Sequence, residues 1–142
     1  VAMAQITKRE LVRLAEEKLS DAELLLNAGR HSNAYYLAGY AVELLLKAVI
    51  SRRFAADTIP DRRLVNAVHT HNLKELVAHA GLDVELTREQ KASATFAAFW
   101  QIATDWTEES RYASRSFDEA ASLMTALTDP KAGVVRWLRR YL

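Results

Sequence analysis

Gly29-Arg-His-Ser-Asn-Ala-Tyr-Tyr-Leu-Ala-Gly-Tyr-Ala-Val-Glu-Leu-Leu-Leu-Lys-Ala-Val-Ile50 is the stretch that decides the fold. At about 100° per residue it reads as one long helix, apolar almost all the way round. Leu37, Ala38, Ala41, Leu44, Leu45, Ala48 and Val49 cover one side, and Val42, Leu46 and Ile50 thicken the flanks. Only Tyr36, Tyr40, Glu43 and Lys47 break the pattern, within an arc of roughly 60°. A helix this apolar belongs at the centre of a bundle, packed on several sides. Its polar stripe must then face a cleft, a partner or buried hydrogen bonds.

Outward from that helix, the chain is punctuated by helix starts. Thr7-Lys-Arg-Glu10, Asn72-Leu-Lys-Glu75, Thr87-Arg-Glu-Gln90 and Ser116-Phe-Asp-Glu119 each have the spacing of a capping box. Asp129-Pro130 adds a cap followed by proline at the first helical position, and Ser32 is the expected cap of the central helix. Gly29 and Gly81 suit left-handed helix ends. No alternating strand pattern is present. The expectation is all-α: one domain over residues 1–142, an up-down bundle of five to six helices. Val1-Ala2 ahead of Met3 reads as an expression remnant, and residues 1–6 as flexible. Residues 52–70 read as a charged, proline-bearing and mobile loop. Residues 105–115 form a second polar connection.

The whole-chain numbers exclude several classes. At 142 residues the chain can bury a substantial core. Its 50% apolar and 26% charged residues argue against disorder. A net charge of +1 commits it to no nucleic acid as a whole. Having no cysteine, it has no disulfide, thiolate zinc site or cysteine nucleophile, which fits a cytoplasmic setting. Glu43 and Lys47 keep the best apolar run short of the ~18 residues of a membrane span, so no membrane partner is expected.

Each chemically interesting cluster carries a plain alternative. Glu43 and Lys47 have the favourable i,i+4 order and are either an intrahelical ion pair or part of a lined cleft. Tyr36 and Tyr40 beside that cation suit a base or a phosphate, or else pack a helix seam with wet hydroxyls. Arg111 and Arg115, four apart before the Ser116 cap, suit phosphate, or else answer Glu108, Glu109 and Asp118. His69, His71 and His79 lack acidic ligands at a metal-binding spacing, so no metal is expected and His71 reads as packing at a helix entrance. No P-loop, dinucleotide fingerprint, nucleophile elbow or zincin motif appears, and no cofactor is implied. In the last helix Val134, Trp137, Leu138 and Tyr141 oppose Arg136, Arg139 and Arg140, a basic face that reads as solvated.

These residues in this order resemble the HEPN domain, a helical module associated with nucleotides and RNA. The resemblance spans roughly residues 11–127. It rests on Asn27-Ala-Gly-Arg-His-Ser-Asn-Ala-Tyr-Tyr-Leu-Ala-Gly-Tyr-Ala-Val-Glu43 with Leu46-Lys47-Ala48, then Thr70-His71-Asn72-Leu73, then Ser110-Arg111-Tyr112. It implies a helical bundle, usually a homodimer, often beside a minimal nucleotidyltransferase and in some cases part of a toxin–antitoxin pair. Ribonucleases of the family carry an arginine followed a few residues later by histidine. Arg111 matches the arginine, but Tyr112-Ala-Ser-Arg-Ser-Phe117 holds no histidine. Arg115 cannot take its place, because arginine stays protonated. The adenylylated tyrosine of some family toxins has no clear match either.

The expectation is therefore a non-catalytic module that binds a nucleotide, an RNA end or a nucleotidyltransferase partner. Its cleft residues would be Tyr36, Tyr40, Glu43, Lys47, Arg111 and Arg115, with the arginines and Lys47 converging on an anion. The alternatives are a metal-independent ribonuclease using Arg111 with a histidine from elsewhere, such as His71, and a plain dimeric scaffold. Homodimerisation is expected because Phe96, Phe99, Trp100, Trp106, Trp137 and Tyr141 offer more aromatic surface than one bundle core absorbs.

Overall fold

Short helices joined by tight turns wrap one long apolar helix in the computed structural model, which describes residues 6–142. The expectation for residues 1–5 lies outside the described residues. The elements are α1 (Lys8–Asn27), α2 (His31–Ser51), α3 (Arg62–Ala67), α4 (Leu73–His79), α5 (Asp83–Ala92), α6 (Ala94–Thr104), a 3-10 turn (Glu108–Tyr112), α7 (Phe117–Thr128) and α8 (Val134–Arg139). Among the described residues there is no strand, so the all-α class holds. Among the described residues eight helices replace the expected five or six.

α2 is the centre. It packs against α1, α4, α7, α8 and the 3-10 turn. Ala38, Ala41, Val42, Leu45, Leu46, Ala48 and Ile50 are at most 1% exposed. Each large aliphatic side chain buried there contributes about 1.5–3 kcal/mol of transfer free energy. By length and mean hydropathy (1.3) α2 is also the one described helix that could cross a membrane, but 72% of its most apolar window is buried inside the bundle.

Two Schellman turns set the direction of the chain. After α1, Gly29 (φ +80°) lets Arg30 N donate to Leu25 O at 2.8 Å, folding α2 back along α1. After α4, Gly81 (φ +73°) does the same through Leu82 N and Val77 O, at 3.1 Å.

Three of the expected helix starts form as side-chain caps. Thr7 accepts from Glu10 N, Asn72 from Lys74 N and Glu75 N, and Ser116 makes the full reciprocal box with Glu119. Three expectations are corrected. Ser32 does not cap α2; its hydroxyl accepts from Arg115 N at 2.8 Å, and the N-cap is Arg30. Thr87 lies inside α5 and donates back to Asp83 O, while the chain breaks at extended Ser93, which caps α6 through Phe96 N. Asp129 accepts from Lys131 N and Ala132 N, but this closes a turn, and α8 starts after Gly133.

The expected loop at 52–70 contains α3, capped by Asp61 through Arg63 N. Its first part is tied down by Arg52 to Tyr141 O (2.8 Å) and by Arg53 to His79 O (2.6 Å).

The aromatic argument for a dimer does not survive. Phe96, Trp100, Trp106 and Trp137 are all at most 5% exposed within the single chain. Trp137 collects Phe96, Trp100 and Tyr141 at centroid distances of 5.3–5.9 Å. α8 brings Trp137 and Tyr141 to this cluster, which lets one core absorb the rings.

Candidate functional site

The polar stripe of α2 has partners. Glu43 is 1% exposed, and a carboxylate so buried needs donors. Lys47 Nζ lies 3.2 Å from Glu43 Oε2, one turn along the same helix. His71 Nδ1 lies 3.0 and 3.1 Å from the two carboxylate oxygens.

His71 is delivered from the α3–α4 connection, whose side chains lock its backbone. Thr70 Oγ1 accepts from Asn72 N at 3.2 Å and donates to Glu75 Oε2 at 2.6 Å. Asn72 is occupied as the cap of α4. With neighbours fixed on both sides, the imidazole is held across the stripe.

The chain of charges continues on the far side of the ring. His71 Nε2 is 3.4 Å from Glu108 Oε2, and Glu108 Oε1 is 3.3 Å from Arg111 Nη1. Five groups therefore form a chain in which carboxylates separate nitrogen donors: Lys47, Glu43, His71, Glu108, Arg111. As an imidazolium, His71 donates from both nitrogens; as a neutral ring it keeps only one of the two bonds. Its nitrogens address carboxylates on opposite edges, so these acids do not converge on a point. Among the described residues no group of three or more His, Asp or Glu is arranged to hold a metal ion.

Aromatic rings border this chain. Tyr36 and Tyr40 lie 6.0 Å apart between centroids. Trp106 stacks on Tyr36 at 6.1 Å with an interplanar angle of 27°. Gly39 makes this stack possible, because a Cβ there would collide with the Trp106 indole. The Tyr40 hydroxyl is pushed above the ordinary phenol range, first by burial and then by the negative charges of Glu43 and Glu108. Beside the rings opens a cleft of about 460 Å3, lined by His71, Asn72, Lys74, Trp106, Thr107 and Glu108 among others.

The six expected site residues divide. Tyr36, Tyr40, Glu43 and Lys47 share one face of α2, as their spacing requires, and Arg111 joins them through Glu108 and His71. Arg115 does not join. Its guanidinium lies 4.5 Å over the ring of Tyr35, about 100° round the helix from Tyr36, and pairs with Glu119 at 2.9 Å. Nor do the arginines and Lys47 converge on one empty anion site. Each is answered by a carboxylate three or four residues away on its own segment.

His71, Glu108 and Trp106 were missing from the expected set. Glu108 stands three residues before Arg111, a spacing visible in the sequence. The reach of His71 to Glu43 crosses 28 residues and leaves no local signal.

The HEPN domain family model matches residues 9–128, most of the chain and every member of the charge chain. This protein belongs to the HEPN domain family. No curated protein and no solved structure shows a significant match to it. As a HEPN domain it is a helical module of a nucleotide- and RNA-associated family. The matched span ends before α8, so the Trp137 contribution to the aromatic core lies beyond it.

Proposed function

We propose that this HEPN domain binds a nucleotide or RNA end at the cleft beside α2 and does not cleave it. One observation carries the reading: His71 and Arg111 flank Glu108 at the edge of an open cleft that Lys74 also lines. Imidazole, guanidinium and ammonium groups together form the donor set that phosphate recognition uses. Tyr36 and Tyr40 offer neighbouring ring faces, on which a base stacks for about 1–3 kcal/mol. Binding without cleavage is favoured because Tyr112-Ala-Ser-Arg-Ser-Phe117 holds no histidine to act as the general acid–base group after Arg111.

A second reading, a metal-independent ribonuclease, has one observation on its side. Buried Glu43 holds His71 Nδ1 and turns Nε2 outward, the way an acid orients an imidazole for proton transfer. The family resemblance extends the proposal to a homodimer, to a minimal nucleotidyltransferase partner within a toxin–antitoxin pair, and to the cytoplasm.

Titration of labelled nucleotides and short RNAs tests the main reading. Wild type should bind, and a Lys47→Ala, Arg111→Ala double variant should bind at least about tenfold more weakly. Equal binding by both proteins, or none by either, overturns it. RNA cleavage by wild type that Arg111→Ala and His71→Ala abolish would establish the ribonuclease instead. Light scattering of the dilute protein, alone and with a co-expressed nucleotidyltransferase, tests the partner proposals.

A further inference from the structure

We infer that Glu108 determines the specificity of this cleft: its carboxylate occupies the position between His71 and Arg111 that a phosphate would take, so the cleft selects a terminal phosphate over a chain-internal phosphodiester. The inference rests on the binding reading above and names its substrate class.

Glu108 uses both oxygens at once. Oε2 faces His71 Nε2 at 3.4 Å and Oε1 faces Arg111 Nη1 at 3.3 Å. These two nitrogen donors stand at this edge of the cleft, and both side chains are nearly half exposed, at 43% and 46%. A ligand anion takes the His71 Nε2 and Arg111 Nη1 positions together only by displacing the carboxylate. Glu108 can be displaced, because its side chain is 30% exposed and its 3-10 turn has no side-chain cap. Glu43 cannot follow, because it is buried on α2, 1% exposed. It therefore stays on His71 Nδ1 and keeps the other edge of the ring turned to the cleft.

Displacement is a competition between anions for the same donors. A phosphodiester brings one negative charge and two free oxygens, no more than the carboxylate it must expel. The expelled Glu108 also stays nearby and repels it. A terminal phosphate carries about −1.5 to −2 charge at pH 7 and three acceptor oxygens. Its third oxygen has Lys74 and Thr107 in the same cleft wall to address. The monoester therefore outcompetes Glu108, and the diester at best ties with it.

Calorimetric titration of the four ribonucleoside 5′-monophosphates and their 3′,5′-cyclic diesters tests this. Wild type should prefer at least one 5′-monophosphate over its cyclic partner by about tenfold or more. Glu108→Gln removes the competing charge, so it should tighten the cyclic diester most and narrow the preference to about threefold or less. Glu17→Gln makes the same change in net charge at an exposed position of α1 and should leave the preference as it is. If Glu108→Gln fails to fold, Glu108→Asp, with its shorter reach, should narrow the preference in the same direction.

An equal preference in wild type and the Glu108 variants overturns the inference. So does a wild type that binds both phosphate classes alike, or a Glu17→Gln effect as large as that of Glu108→Gln. Binding that Arg111→Ala weakens while the Glu108 variants leave the preference unchanged removes this inference alone. No binding by any of the proteins removes the binding reading and this inference together.

Discussion

Arg111 and Arg115 are four residues apart, yet they serve different faces of the same helix, about 100° apart. Arg111 sits on the 3-10 turn, 46% exposed, and pairs with a partly exposed glutamate that also touches His71. Arg115 lies against α2, with its guanidinium over the Tyr35 ring, its backbone N–H on Ser32 and its Nη1 on the capping-box acid Glu119. One arginine is held by a replaceable anion and by the ring of Tyr112, 4.8 Å away and itself 79% exposed. The other is held by a ring, a backbone bond and a helix cap. What makes a cation available to a ligand is the number of protein groups that already depend on it, and residue type or spacing does not report that number.

The strongest way to break this contrast is through Gly39. A methyl group there would collide with Trp106, so Gly39→Ala should displace the indole and cost about 2–3 kcal/mol in urea unfolding. It should disturb the Arg111 side, because Trp106 leads into the 3-10 turn, and leave the Tyr35–Arg115 contact in place. Next is Glu43→Ala, which strips His71 and Lys47 of their shared acceptor and should cost about 2 kcal/mol, with weaker phosphate binding as well.

The two arginines then separate by readout. Arg115→Ala should lower stability by about 1 kcal/mol through lost stacking and leave ligand titration unchanged. Arg111→Ala should change stability by less than about 0.5 kcal/mol and weaken phosphate binding about tenfold.

The smallest expected effect is spectroscopic. Burial raises the hydroxyls of both Tyr35 and Tyr40 above the ordinary phenol value of 10.0, but their charged neighbours act in opposite directions. Arg115 lowers Tyr35, so Arg115→Ala should send it higher. Glu43 raises Tyr40, so Glu43→Gln should bring it down, though not to the ordinary value, because burial is the larger cause. A folded state that favours the neutral phenol keeps that contribution below pH 10 and loses it as pH rises beyond. Ultraviolet difference titration reads both shifts.

What was legible in the sequence was whatever is local along the chain. The apolar circumference of α2, the Thr7, Asn72 and Ser116 caps and the two glycine turns all involve residues within about six positions of one another. The stripe of Tyr36, Tyr40, Glu43 and Lys47 was legible for the same reason, as was the family. What failed was competition between local signals: Thr87 and Ser93 both suit a cap, and only packing of the Phe96–Trp100 face selects Ser93. The site failed at its long-range links. Nothing near His71 announces Glu43, and nothing near Arg115 announces that Ser32 and Tyr35 will claim it.

The Gly39–Trp106 stack also makes the molecule its own optical reporter. Of the three tryptophans, Trp100 and Trp137 share the remote aromatic cluster, and only Trp106 lines the cleft. Tyr36 lies 6.1 Å from it, close enough to pass on excitation energy. With Trp100 and Trp137 replaced by phenylalanine, the remaining emission comes from a single indole beside Thr107 and Glu108. Quenching of that emission on mixing would then time, millisecond by millisecond, when the cleft fills and empties.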